Sequence, residues 1–373
     1  MGKKYDIAAF IWPSYTGDEP RSRIFWPEGY GEWQSVRSAH SKYEGDSWPR
    51  KPLWGYVNEA NPDVMEMQIN CAVRHGVNVF IYDWYWYDDR PFLENCLNDG
   101  FLKAPNNTDM KFYIMWANHD ANQTWAKNLS DDQSNTVVWR GAVDFDRFKH
   151  VVERMIEKYF CKPNYYKIDG CPVFMIYQLD TFIEGFGSIE EANKALKYMR
   201  DEVKKAGYPG LHLQTTTRNS HAMNVSGVDS KGMRIPHREI MEIFDFDSSS
   251  HYQFAHVTNM DRDYLEILKD VETAYEQLSC DSKPYFPHVS IGWDNNPRFH
   301  RLGGAITKNN TPENFEKALR LAKKYADEHP EQVPLITINS WNEWTETSYL
   351  QPDDLYGYGY LEAVKKVFVD EEE

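Results

Sequence analysis

The chain has 373 residues, of which 56 are aromatic (13 Trp, 24 Tyr, 19 Phe), and a formal net charge of −16. That charge repels phosphate backbones and anionic membrane surfaces and so argues against nucleic acid as a partner, while no apolar run reaches the roughly 18 residues of a membrane-spanning helix. Five cysteines, Cys71, Cys96, Cys161, Cys171 and Cys280, include no CxxC pair, so neither a disulfide framework nor a zinc ribbon is indicated.

Runs of β-branched and aromatic residues alternate with segments of helical period along the chain. The first strand is predicted at 5–12 (YDIAAFIW). The residues before it lack the apolar stretch of a signal peptide, which implies a cytoplasmic protein, or a periplasmic or secreted one from which a leader was removed. Strands follow at 77–84 (VNVFIYDW) and 111–117 (KFYIMWA), then a helix at 144–160 and a strand at 172–178 (PVFMIYQ). A helix at 188–206 opens with Ser188 and Glu191 at capping-box spacing. Beyond it come strands at 210–216 and 242–248, a helix at 260–280, a strand at 285–292, a helix at 311–327 and a last strand at 334–340. In the helix at 311–327, Thr311 suits the cap and Pro312 the first turn, and Phe315, Ala318, Leu319 and Ala322 recur at helical spacing.

Eight strand units without a Gly/Ser/Pro-rich linker predict a parallel sheet closed on itself: one (β/α)8 TIM-barrel catalytic domain over residues 1–373, with long βα loops. The open doubly wound alternative is disfavoured because no GxGxxG or GxxxxGK[ST] follows any strand. Twelve histidines include no HExxH, and no metal or other cofactor is predicted, although a structural cation held by oxygen ligands stays open. Nothing in the pattern speaks to oligomeric state.

Barrel active sites form where strands end in βα loops. The residues there include Trp12 and Tyr15; Asp83, Trp84, Tyr85 and Trp86; Trp116, Asn118, His119 and Asp120; Tyr177 and Gln178; Trp293, Asp294 and Asn295; Trp341 and Asn342. Rings stack on the C–H faces of sugars, and amides and carboxylates pair with hydroxyls, so this set predicts a carbohydrate substrate. Asp294-Asn295 also reads as a turn cap. The Asp-x-Asp pairs 144/146, 245/247 and 261/263 are read as structural, and His288 as a satisfied core residue.

The sharpest motif is Asn339-Ser340-Trp341-Asn342-Glu343-Trp344-Thr345-Glu346 after the last strand. One helical or turn-like step places Glu343 and Glu346 on the same side, and two carboxyls in one cleft are the usual equipment for glycosidic bond cleavage. Trp341 and Trp344 are expected to form an apolar wall that raises a neighbouring carboxyl pKa.

The segment NSWNEWTETSYLQPDDLYGYGYLEAVKK resembles the closing segment of the WbsX-like proteins, a group related to glycoside hydrolase family 99. Further resembling pieces occur in order: GYGEWQSVRSA at 29–39, FIYDWYWYDDRPFLE at 80–94, YIMWANHDANQTW at 113–125, IDGCPVFMIY at 168–177 and SIGWDNNPR at 290–298. The resemblance implies a (β/α)8 barrel acting on polysaccharide with retention. On the matching positions, Glu346 is the implied general acid/base, and Glu343 is implied to deprotonate the sugar 2-hydroxyl so that a 1,2-anhydro sugar forms. The chain departs from the group's pattern at His119-Asp120, where Glu follows Trp-Ala-Asn, at Thr347, where Gly is usual, and at Gln351, where Glu is usual. The alternative expectation is a glycosyltransferase or polysaccharide-assembly protein using a nucleotide sugar.

Overall fold

The computed structural model describes residues 5–17, 19–125, 136–217, 223–225, 233–279 and 281–371. Eight parallel strands line the barrel: β1 (Asp6–Ile11), β2 (Val79–Tyr87), β3 (Lys111–Trp116), β4 (Cys171–Ile176), β5 (His212–Thr216), β6 (Ser248–Ser250), β7 (His288–Ser290) and β8 (Leu335–Asn339). Their order is β6-β5-β4-β3-β2-β1-β8-β7. Paired residues such as Ile11 with Tyr82, Trp84 with Trp116 and Ser290 with Asn339 set the register. A parallel bridge between Ser249 and Tyr285, with the Phe286 N–H donating to the Ser249 carbonyl at 2.9 Å, brings β6 against the chain entering β7. The TIM barrel predicted from strand count is the observed fold.

Helices run on the outside: α1 (Trp33–Ser38), α2 (Pro62–Arg74), α3 (Phe145–Arg154), α4 (Leu179–Phe186), α5 (Ile189–Lys205), α6 (His237–Ile243), α7 (Tyr264–Leu278), α8 (Pro312–Glu328) and α9 (Gly359–Lys365). The cap residues act as expected. Thr311 accepts the Asn314 N–H, Ser188 accepts the Glu191 N–H, and Asp144 and Asp263 cap α3 and α7, which accounts for two of the Asp-x-Asp pairs. In the third, Asp247 accepts the Leu213 N–H at 2.8 Å and pairs with Arg200.

Two strands differ from their predicted bounds. Residues 242–248 alternate like a strand, but Ile240 and Met241 are buried on a helical face and α6 runs to Ile243, so β6 begins only at Ser248. Strand β2 extends past 84 because Tyr85–Tyr87 pair antiparallel with Arg90–Phe92 across Asp88 and Asp89, both at positive φ. Trp84, Tyr85 and Trp86 are therefore strand residues whose side chains alternate between faces.

Inside the barrel, beneath its carboxyl-terminal mouth, polar groups satisfy one another. His288 bonds Thr337 and Ser290 at 2.9 Å each, and Tyr113 donates to Gln214 at 3.1 Å. Burial lowers the His288 pKa well below the ordinary histidine value, in keeping with a neutral core residue. Of the cysteines, Cys71, Cys96, Cys161 and Cys171 are free thiols, and Cys280 lies outside the described residues. Among the described residues, no helix is long and apolar enough to cross a membrane.

Candidate active site

The strand ends enclose a cleft of about 520 Å³. Trp12 enters it from the end of β1, Asp83 and Tyr85 from β2, and His119, Asp120, Asn122 and Trp125 from the loop after β3. Tyr177 and Gln178 follow β4, and α4 adds Asp180, Thr181 and Glu184. Tyr252 follows β6, Arg298 follows β7, and Glu343 and Glu346 follow β8.

After β8 a single turn, Trp344–Glu346, brings the two glutamates to one side. Arg298 joins them: its Nη1 donates to Glu346 Oε1 at 2.9 Å and its Nη2 lies 3.3 Å from Glu343 Oε2. The remaining guanidinium nitrogen, Nε, reaches Glu32 Oε1 at 3.1 Å and Thr345 Oγ1 at 2.7 Å. Glu32 is fully buried and also accepts from Thr345 Oγ1, from the Trp12 indole and from the Tyr15 hydroxyl. The segment that carries Glu32 can approach only because Gly31 has φ +58°; a Cβ there would sit 1.7 Å from the Ser14 carbonyl oxygen.

Three buried carboxyls thus converge on one cation. Burial, reinforced by the charge of Glu346, pushes Glu343 well above the ordinary carboxyl range, with Arg298 opposing. Burial also raises Glu346, again against Arg298. Sharing one site, the two carboxyls titrate together, and ionisation of either disfavours ionisation of the other. Glu346 Oε2 is buried without a hydrogen-bond partner. On the other side, the Tyr252 hydroxyl lies 3.0 Å from Glu343 Oε1 and 2.8 Å from Asp83 Oδ2. Burial raises the Asp83 pKa well above its ordinary value, and Asp83 Oδ1 has no partner.

Of the residues expected at the site, the structure brings together Trp12, Asp83, His119, Asp120, Tyr177, Glu343 and Glu346. Asp120 is fixed by the Gly141 N–H at 2.8 Å and by Arg140 at 2.9 Å. The others lie behind the cleft. Strand alternation turns Trp84 and Trp86 outward: the Trp84 indole donates to Glu94 at 2.7 Å, and Trp86 lines a separate surface with His150 and Arg154. Trp116 stacks on Phe148 under α3, and Asn118 staples the next loop through the Gln178 backbone. Tyr15 packs on Trp33 beneath Glu32.

Trp341 and Trp344 do not form the expected apolar wall. Trp341 donates to Gln68 at 2.8 Å and packs on Phe80, while Trp344 stacks on Tyr349 with ring centroids 3.9 Å apart. The turn that points both glutamates inward points both indoles away. Asn342 bridges the Trp12 backbone and Glu59. Trp293 packs on the core, Asp294 caps the turn at Asn296 at 2.9 Å, and Asn295 rests near Gly304, so 293–295 shape the loop that delivers Arg298.

Tyr85 and Gln178, expected at strand ends, line the cleft, whereas Trp125, Asp180, Glu184, Tyr252, Arg298 and Glu32 were not singled out from sequence. Glu32 and Arg298 sit in the resembling pieces GYGEW and SIGWDNNPR, which marked their positions without a role. Tyr252 follows a strand predicted six residues too early. Among the described residues, no group of three or more His, Cys, Asp or Glu side chains is arranged to hold a metal ion.

Residues 7–364 match the family model described as Glycosyltransferase WbsX. Protein WxcX of Xanthomonas campestris pv. campestris, described as uncharacterized, is 24% identical over 371 residues, and the same holds over 370 residues for its counterpart in a second strain. These matches cover 96% of this chain and 49% of WxcX, so the chain spans about half the length of the curated relatives it matches. Among solved structures, a GH99 endo-alpha-mannosidase from Bacteroides thetaiotaomicron aligns with TM-score 0.61 at 14% identity, covering 98% of this chain and 96% of the other. A glycoside hydrolase-like protein aligns with TM-score 0.62 at 17% identity, covering 98% and 94%. At these identities the likeness is one of fold.

Proposed function

The chain belongs to the Glycosyltransferase WbsX family, and from that premise we propose that it is a retaining glycoside hydrolase acting on a poly- or oligosaccharide, with residues 1–373 forming one catalytic domain. The observation that carries this reading is the attachment of Glu343 and Glu346 to neighbouring nitrogens of the Arg298 guanidinium, at the floor of a cleft walled by Trp12, Tyr85, Trp125 and Tyr177. Two carboxyls held on one guanidinium can act together on the glycosidic oxygen and on the neighbouring 2-hydroxyl of one sugar.

Protonated Glu346 gives its proton to the departing glycosidic oxygen. Glu343 takes the proton of the 2-hydroxyl, and that oxygen closes on the anomeric carbon to form a 1,2-anhydro sugar. Glu346, now a carboxylate, then deprotonates a water that opens the ring at the anomeric carbon, while Glu343 returns its proton to the 2-oxygen. Two displacements at one carbon retain its configuration, and no enzyme nucleophile is consumed. Arg298 stabilises whichever carboxylate is ionised at each stage. Six carboxyls face the cleft against this one guanidinium, a field that favours neutral over anionic glycans.

The family's description supports a second reading, transfer from a nucleotide sugar. Against it, Arg298 is engaged by carboxylates, and among the described residues the acidic cleft has no spare Lys or Arg for a diphosphate. Incubation with a panel of neutral polysaccharides, followed by product mass analysis, tests the proposal. Released saccharides support hydrolysis; no product from the panel together with calorimetric binding of a nucleotide sugar supports transfer.

A further inference from the structure

The Tyr252 hydroxyl owns one proton but touches two carboxyl oxygens, Asp83 Oδ2 at 2.8 Å and Glu343 Oε1 at 3.0 Å. A phenol can donate to only one of them. The other contact is a hydrogen bond only if that carboxyl carries a proton and donates to the phenol oxygen. Left as two carboxylates, one contact would be a buried lone-pair repulsion.

The surroundings decide which carboxyl is protonated. Glu343 has a second donor in Arg298, whose Nη2 lies 3.3 Å from Oε2. Among the described residues Asp83 has no cation beside it; the titratable groups facing it are Tyr85 from its own strand, Tyr252 from the loop after β6, and Glu343 and Glu346 from the turn after β8. Its Oδ1 is buried and unpartnered.

We propose that Asp83 is a protonated positioning residue: its Oδ2–H donates to Tyr252, Tyr252 donates to Glu343, and Glu343 is thereby kept as the ionised base. Glu343, so held, faces the cleft as the carboxylate that takes the proton of the substrate 2-hydroxyl. This role rests on the hydrolase reading, but the protonation state is independent of it.

Infrared spectra of protein labelled with ¹³C at aspartate carboxyls separate the two. At neutral pH and without substrate, a protonated-carboxyl band is expected in the unmodified protein and is expected to disappear in Asp83→Asn. Its absence from the unmodified protein, or its survival in Asp83→Asn, overturns the proposal, and the first outcome needs no variant to fold. On a cleavable substrate, Asp83→Ala is expected to lose about tenfold in kcat, the scale of one hydrogen bond. Asp83→Asn, which keeps a donor toward Tyr252, is expected to restore most of that loss. Equal losses in the two folded variants would show that a charged Asp83 is required and would overturn the proposal. If the band behaves as expected but no glycan is cleaved, the hydrolase reading fails and the proton assignment stands.

Discussion

Glu343 and Glu346 are bound by one guanidinium, that of Arg298, at 3.3 and 2.9 Å. In the proposed mechanism this arrangement separates two functions that burial alone would merge, since both carboxyls are pushed upward in pKa. Glu346 keeps one oxygen free for a proton, whereas Glu343 is flanked by Arg298 and Tyr252. Glu346→Gln and Glu343→Gln are each expected to lower kcat by roughly 10³-fold, within the range for acid–base groups, with substrate affinity largely kept. Steady-state kinetics and calorimetric binding on a cleavable glycan check this; activity within a few-fold of the unmodified protein would remove the residue from the chemistry.

Removing the cation has a different consequence. Arg298→Met leaves Glu32, Glu343 and Glu346 buried without a counter-charge, and breaking such a buried pair costs roughly 3–5 kcal/mol. Denaturant unfolding is expected to report that loss at neutral pH. The deficit should shrink as the pH falls and the orphaned carboxyls take up protons.

The cleft wall can be tested by contrasting residues one position apart. Tyr85 faces the cleft, and Tyr177→Ala or Trp125→Ala on the same wall is expected to raise KM about tenfold by removing a stacking surface. Trp84→Phe removes only the hydrogen bond to Glu94 behind the strand and is expected to cost about 1 kcal/mol of stability with KM unchanged.

His251 supplies a pH prediction away from the cleft. It is fully buried, bonds Tyr285 at 2.7 Å, and has its pKa lowered to about 3 by burial, with His237 contributing. An unfolded histidine titrates near about 6.5, so below that pH the unfolded chain binds a proton that the native one does not, and stability falls as pH drops toward about 3. His288 titrates in the same sense. His251→Phe is expected to reduce, not abolish, the slope of stability against pH in this window, as read by denaturant midpoints; an unchanged slope would contradict the assignment.

The barrel was legible because most strands carry an apolar run and the longer helices a cap and a stripe, as Thr311 and Pro312 do for α8; β6, three serines behind the uncapped α6, was not. The last-strand glutamates were legible because their spacing is local. Arg298, Tyr252 and Glu32 were not, because their significance lies in contacts made 45, 91 and 266 residues away along the chain. Trp341 and Trp344 misled for a related reason: the turn that fixes which residues face inward is set by Ser340 and Thr347 contacts, with the Ser340 hydroxyl accepting the Glu343 N–H at 2.7 Å and Thr347 held at φ +55°. Trp84 was expected as the last strand residue and Trp86 beyond it, and the strand's continuation to Tyr87 dictates that both face away from Asp83 and Tyr85.

The most direct test of the Glu343–Arg298–Glu346 site is the anomeric configuration of the first product released from a cleavable glycan, followed by proton NMR before mutarotation. Retention is predicted, with release lost in Glu346→Gln. Inversion, or undiminished release by Glu346→Gln, would contradict the account.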